Sequence, residues 1–179
     1  MRFWQFMKQS ADFSKIKAIV LDIDGVLTDG RIGYRNDHNE IKFFHVRDGH
    51  GIVLARRAGL KVGILSGRRS LANEVRAQEL KLDFLYQGSL NKADGFELLL
   101  KEQGLTGEEC MYIGDDLVDI PPMRKAGLAV AVGDGVDELD QVCHLRTKHN
   151  GGCGAVREAI EYLLKGQGKW EELLSRYLG

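Results

Sequence analysis

The run Ile19-Val20-Leu21-Asp22-Ile23-Asp24-Gly25-Val26 is the feature that most constrains this chain. Its β-branched, apolar character reads as a strand buried on both faces. It delivers two carboxylates, two positions apart, into a glycine turn. Side chains alternate along a strand, so Asp22 and Asp24 share one side where the strand ends, which is where open α/β sheets put their ligands. Two carboxylates about 4 Å apart repel by roughly 4 kcal/mol at an effective dielectric near 20. A metal ion, a shared proton or a cationic partner must offset that repulsion, unless the pair is only a capping aspartate followed by a turn aspartate.

Apolar runs recur at Val62–Leu65, Phe84–Tyr86, Met111–Ile113, Leu128–Val132 and Val142–Leu145. Between them Gly51–Ala58, Ser70–Leu80, Lys92–Gln103, Leu117–Ala126 and Val136–Leu139 read as helices. This alternation predicts an α/β fold, a parallel sheet with crossover helices on both faces. Residues 31–45 interrupt it: Arg31–Tyr34 and Ile41–His45 flank the polar turn Arg35 to Glu40, which predicts an inserted β-hairpin. Its apolar Ile32, Tyr34 and Phe43 need a cover. Neighbouring subunits supply one, giving an oligomer, and an intramolecular lid is the alternative. From Gly151-Gly152 a tail over 151–179 reads as two helices, Gly154–Leu164 and Trp170–Leu178. The only two prolines sit together at Pro121-Pro122, no linker composition appears, and residues 1–179 are expected to form one domain.

Charge narrows the partner. The chain carries 25 Lys and Arg against 26 Asp and Glu, with no long block of either sign. Neither nucleic acid nor an anionic membrane surface is indicated, and a small polar molecule fits better. Cys110, Cys143 and Cys153 are odd in number and form no C-x-x-C pair. They argue against a disulfide framework and a structural zinc site, and for reducing cytoplasm. The lead Met1 to Lys15 mixes Phe3, Trp4, Phe6 and Met7 with charges and never reaches signal-peptide or membrane-spanning length. It is expected to pack on the domain or to fray.

Three later strand ends give the paired aspartates a chemical meaning. Val62–Leu65 runs into Ser66-Gly67-Arg68, where a hydroxyl and backbone N–H groups can hold a phosphate oxygen. Phe84–Tyr86 leads to Asn91-Lys92, and Met111–Ile113 leads to Gly114-Asp115-Asp116 with Asp119 beyond. Taken singly, the serine reads as a helix cap, the lysine as a solvated charge and the acids as helix-dipole partners. Together, at successive strand ends, they are the equipment of phosphoryl transfer. Carboxylate and carbonyl oxygens suit Mg²⁺, and a metal, a lysine and a hydroxyl donor supply the electrostatic stabilisation that a phosphate monoester needs.

At these residues the chain resembles the haloacid dehalogenase superfamily of phosphohydrolases, whose four motifs are matched by Asp22-Ile23-Asp24-Gly25, Ser66, Lys92 and Gly114-Asp115-Asp116 with Asp119. The resemblance implies a Rossmann-like core. It makes Asp22 the nucleophile that becomes an aspartyl-phosphate and Asp24 the acid and base. Asp115 would hold Mg²⁺ with the Asp22 carboxylate and the Asp24 backbone carbonyl, while Ser66 and Lys92 bind phosphoryl oxygens. Asp116 and Asp119 orient either Lys92 or metal-bound waters from behind.

Three further segments, Asp24-Gly25-Val26-Leu27-Thr28-Asp29-Gly30, His45-Val46-Arg47-Asp48-Gly49 and Gly151-Gly152-Cys153-Gly154-Ala155-Val156-Arg157-Glu158, look like the 3-deoxy-D-manno-octulosonate 8-phosphate phosphatases. That resemblance implies a capless enzyme, a homotetramer packed through its hairpins, and a sugar acid phosphate as substrate. Besides Asp24 and Lys92, it implies substrate contacts at His45, Val46, Arg47, Asp48 and Gly49, with Arg68 and Arg76 for the carboxylate and hydroxyls. Arg76 also reads as an ordinary exposed helical charge. Val53 departs from the pattern, standing where enterobacterial members carry a substrate-binding arginine. The related nine-carbon, sialic-type phosphatases share these motifs, and a similar domain serves as a non-catalytic tetramerisation module. A signalling receiver also clusters aspartates, a hydroxyl residue and a lysine, but lacks an acid two residues beyond its phosphorylated aspartate.

Overall fold

The computed structural model describes residues 11–179, so Met1 to Ser10, with Phe3, Trp4, Phe6 and Met7 of the lead, lie outside the described residues. Of that lead, Phe13–Lys15 form a 3-10 turn, and the Phe13 ring meets Tyr162 edge-on at 5.2 Å. The strands are β1 (Ala18–Leu21), β2 (Gly33–Tyr34), β3 (Glu40–Ile41), β4 (Lys61–Ser66), β5 (Phe84–Gln87), β6 (Cys110–Gly114), β7 (Leu128–Ala131) and β8 (Leu145–Arg146). The helices are α1 (Val46–Arg57), α2 (Leu71–Glu79), α3 (Lys92–Gln103), α4 (Ile120–Lys125), α5 (Ala155–Gly166) and α6 (Trp170–Leu178).

Six strands form one parallel sheet in the order β5-β4-β1-β6-β7-β8, and β2 pairs antiparallel with β3 apart from it. Alternation along β1 divides the interior. Ile19 and Leu21 join Val62, Ile64, Met111 and Ile113 in a core closed by α1, α2 and α5, whereas Ala18 and Val20 join Leu65 and Tyr112 in a core closed by α3 and α4. Each fully buried aliphatic side chain contributes about 1.5–3 kcal/mol, so a strand apolar on both faces belongs at the centre of the sheet. From β1 the chain builds β4 and β5 on one side and later β6, β7 and β8 on the other. The resulting switch point lies at the carboxyl end of β1, beside those of β4 and β6, where a ligand crevice is expected.

Several boundaries differ from the sequence pattern. α1 begins at Val46 rather than Gly51. Gly49 and Gly51 weaken a helical signal by about 1 kcal/mol each, but here they admit neighbours: a Cβ on Gly51 would lie 3.1 Å from Arg157 Cδ, and one on Gly49 2.4 Å from an Arg76 nitrogen. Leu117–Ala126 divides into a 3-10 turn, Leu117–Asp119, and α4, which starts with prolines in its first turn, where a missing N–H costs nothing. The stretch expected as a helix at Val136–Leu139 is a 3-10 turn, Asp137–Gln141, and the last strand is Leu145–Arg146. Between β1 and β4 the chain makes only the short β2–β3 ladder and α1. No described helix is long and apolar enough to cross a membrane.

Candidate active site

Asp22 follows β1 directly, and its backbone N–H continues the ladder to Ile113 O at 3.1 Å. The chain then turns back tightly: the N–H groups of Val26, Leu27 and Thr28 all donate to Ile23 O. Gly25 sits in this turn at φ +92°, a conformation that favours glycine. A Cβ there would lie 2.1 Å from Asp115 Oδ2, so the glycine also lets the loop after β6 close on the loop after β1.

Four side chains meet in this crevice. Lys92, the first residue of α3, is 5% exposed, and its Nζ lies 2.6 Å from Asp22 Oδ2 and 2.6 Å from Asp119 Oδ1. Asp119 is fully buried and also accepts from Tyr112 Oη at 2.7 Å and from the N–H groups of Asp115 and Asp116 at 3.0 and 3.2 Å. Gly114 makes room for it, since a Cβ would fall 2.5 Å from Asp119 Cβ. Asp119 thus holds Lys92 from behind, and Tyr112 is a partner that an apolar strand pattern does not reveal. Asp116 turns outward and caps the following turn by accepting from Leu117 N–H at 2.7 Å.

Charges of one sign are crowded here. Carboxylate oxygens of Asp22, Asp115 and Asp119 lie within 4.8 Å of one another, and Asp115 Oδ1 is buried without a hydrogen-bond partner. Burial pushes the Asp22 carboxyl up to about 6, against the pull of Lys92, and pushes Asp115 up to about 8, with Asp22 and Asp119 adding to the rise. Burial alone would lower the Lys92 ammonium, but Asp22 and Asp119 hold it above its usual range. The oxygens of Asp119 are already occupied by four donors. Asp22 and the orphaned oxygen of Asp115 therefore remain to receive a hard cation, and an all-oxygen donor set suits Mg²⁺.

Ser66 ends β4, is 1% exposed, and accepts from Arg68 N–H at 3.2 Å. The Asp24 carboxylate stands outside the Asp22–Asp115–Asp119 group and meets cations instead. Lys42 Nζ lies 2.6 Å from its Oδ1, and Arg68 Nε 3.9 Å from its Oδ2. Lys42 went unnoticed in the sequence, because a lysine beside a polar turn carries no signal.

The comparisons with known proteins agree with this geometry. Residues 75–160 match the model of the haloacid dehalogenase-like hydrolase family. A curated relative from Escherichia coli strain K12, 3-deoxy-D-manno-octulosonate 8-phosphate phosphatase KdsC, is 43% identical over 162 residues, spanning 90% of this chain and 86% of its own. This chain belongs to that phosphatase family of the haloacid dehalogenase-like hydrolases. Two solved structures carry the family likeness into three dimensions. A probable YrbI family phosphatase from Pseudomonas syringae is 40% identical, with a TM-score of 0.90 and coverage of 94% of this chain and 96% of that one. The 3-deoxy-D-manno-octulosonate 8-phosphate phosphatase of Moraxella catarrhalis, solved with magnesium ion, phosphate ion and KDO, is 35% identical, with a TM-score of 0.89 and coverage of 93% and 95%.

Within this family fold, the segment from His45 to Gly49 is divided. His45 stands at the N-terminal boundary of α1 without a side-chain capping bond, while Val46 and Arg47 are exposed in its first turn. Asp48 is turned inward, accepting from Gly154 N–H at 3.1 Å and Arg157 N–H at 2.7 Å, so its carboxylate ties α1 to the start of α5. Gly49 is the buried surface against which Arg76 packs. Arg76 is not an ordinary exposed helical charge: its guanidinium lies 5.2 Å over the Phe44 ring and is bonded to Glu79 at 2.8 Å. α1 starts a turn earlier than its pattern implies, so Asp48 and Gly49, read as loop, lie on helix surface that faces other elements.

Proposed function

We propose that this chain is an Mg²⁺-dependent phosphomonoesterase that hydrolyses 3-deoxy-D-manno-octulosonate 8-phosphate through an aspartyl-phosphate on Asp22. The observation that carries the reading is Lys92 Nζ poised at 2.6 Å from Asp22 beside the unpartnered Asp115 oxygen. That arrangement gives an anionic nucleophile the positive surroundings it needs to approach an anionic phosphorus. The names of the relatives from Escherichia coli and Moraxella catarrhalis supply the substrate and the metal.

In this reading Asp22 attacks phosphorus while the ester P–O bond breaks, and Asp24 gives its proton to the departing oxygen. Asp24 then takes a proton from the water that attacks the phospho-enzyme, releasing phosphate and restoring Asp22. Lys92 and Ser66 bind the transferring oxygens, with Asp119 fixing Lys92. Asp22, Asp115 and the Asp24 backbone carbonyl would hold Mg²⁺, which would supply neutralisation of the phosphoryl charge.

A homotetramer assembled through the hairpin belongs to the same proposal. Phe43 and Val46 are 81% and 83% exposed, which supports a face meant for another copy. A cytoplasmic setting is supported by Cys110, Cys143 and Cys153, none of which is in a disulfide. The deciding experiment is phosphate release from eight-carbon and nine-carbon acid-sugar phosphates and from hexose phosphates. The eight-carbon ester is expected to give the highest kcat/KM. Preference for a nine-carbon ester reassigns the substrate, and equal turnover of hexose phosphates overturns the specificity.

A further inference from the structure

Lys42 lies just past β3 at the foot of the hairpin, yet none of its side chain is exposed. Its Nζ contacts Asp24 Oδ1 at 2.6 Å and faces Glu40 Oε2 at 3.5 Å, an oxygen that is itself buried without a hydrogen bond. Arg68 completes the cluster. Its Nε approaches the other Asp24 oxygen at 3.9 Å, its Nη2 donates to Glu40, and the same nitrogen lies 3.2 Å from Tyr34 Oη. Taking an ammonium out of water costs several kcal/mol unless it is well paired. A lysine in this position therefore has an internal partner as its reason for being there, and that partner is the residue assigned the proton transfers.

We propose that Lys42 is a positioning residue for Asp24, fixing the carboxylate that protonates the leaving oxygen and later activates water. Cations on two sides, Lys42 hydrogen-bonded to Oδ1 and Arg68 near Oδ2, restrict rotation about the carboxylate's own axis. A proton transfer worth about 10²–10⁴ in rate depends on that alignment. The consequence is mechanical. Tyr34 and Glu40, the Arg68 partners, lie on β2 and β3, so a displacement of the hairpin displaces the group that sets Asp24. The hairpin is thus part of the proton-transfer apparatus as well as an exposed apolar surface.

The inference rests on the phosphomonoesterase reading, and the test separates the two. Phosphorylation of Asp22 by p-nitrophenyl phosphate needs little help from an acid, because nitrophenolate is a good leaving group. Breakdown of the phospho-enzyme still needs Asp24 to take a proton from water. Lys42→Met should therefore lower kcat for this ester about 10²-fold, the lower end of the general acid–base range. It should also produce a burst of nitrophenolate and an acid-stable phospho-enzyme signal. KM should fall in parallel so that kcat/KM stays near native, because only breakdown of the phospho-enzyme is slowed, and Lys42→Gln, which retains a donor, should lie between the native enzyme and Lys42→Met. If Lys42→Met does not fold, the burst is read on Lys42→Gln. A native enzyme that releases phosphate from neither an aryl nor an acid-sugar ester sinks the phosphomonoesterase reading itself. A native enzyme that turns over, with variants that show no burst, overturns the positioning role alone.

Discussion

Lys92 Nζ and Asp22 Oδ2 stand 2.6 Å apart with both side chains almost wholly withdrawn from water. Neither residue alone is stable in such a place. The ammonium draws on Asp22 and on Asp119 behind it, and the carboxylate draws on the ammonium. Their mutual dependence sets the proposed nucleophile beside a fixed positive charge.

Asp22→Asn removes the proposed nucleophile while keeping side-chain volume. Turnover should fall by several orders of magnitude, as for other nucleophile deletions. The metal-free protein should melt no lower than the native chain, since crowding with Asp115 and Asp119 is relieved and Lys92 keeps Asp119. Phosphate release and a thermal melt decide it, and native-like turnover refutes the assignment.

Asp119→Ala leaves Tyr112 Oη and two backbone N–H groups without their acceptor and strips Lys92 of one of its two counter-charges. Breaking a buried pair costs roughly 3–5 kcal/mol, which urea unfolding should register as a lower midpoint. Asp119→Asn, which keeps an acceptor oxygen, should lose less. A midpoint unchanged in Asp119→Ala contradicts the role of Asp119 as anchor.

Stability of the metal-free protein should fall as pH rises. Burial raises Asp22 to about 6 and Asp115 to about 8 from an ordinary 3.8. Across that window the folded state holds protons that the unfolded state has released, so each rise in pH favours unfolding until both groups are ionised. If the ionised carboxylates hold Mg²⁺ as proposed, the ion should raise the melting temperature more at pH 8 than at pH 5. Melts with Mg²⁺ or with chelator at the two pH values test this, and equal shifts at both would count against Asp22 and Asp115 as ligands.

Phe43→Asp puts a charge on the most exposed aromatic side chain of the hairpin region. Light scattering coupled to size exclusion should show the native chain as a tetramer and the variant as smaller species. A native chain that is monomeric at micromolar concentration removes the hairpin interface from the proposal.

Local pattern determined much of this protein. Apolar runs broken at regular intervals dictated a parallel α/β sheet, because strands buried on both faces cannot be polar on either. The candidate residues Asp22, Ser66, Lys92 and Asp115 were legible because each stands at or beyond the carboxyl end of a strand, and parallel strands necessarily bring those ends to one edge. Tertiary structure alone decided which acid anchors Lys92, since Asp116 and Asp119 look alike in sequence and differ only in burial. It also turned Asp48 and Arg76 toward internal partners, and brought Lys42 from a polar hairpin to Asp24. Periodicity reports which face of an element is apolar, whereas these assignments depend on how elements remote in the chain pack. Only packing determines which charge is taken out of water and what must then be set against it.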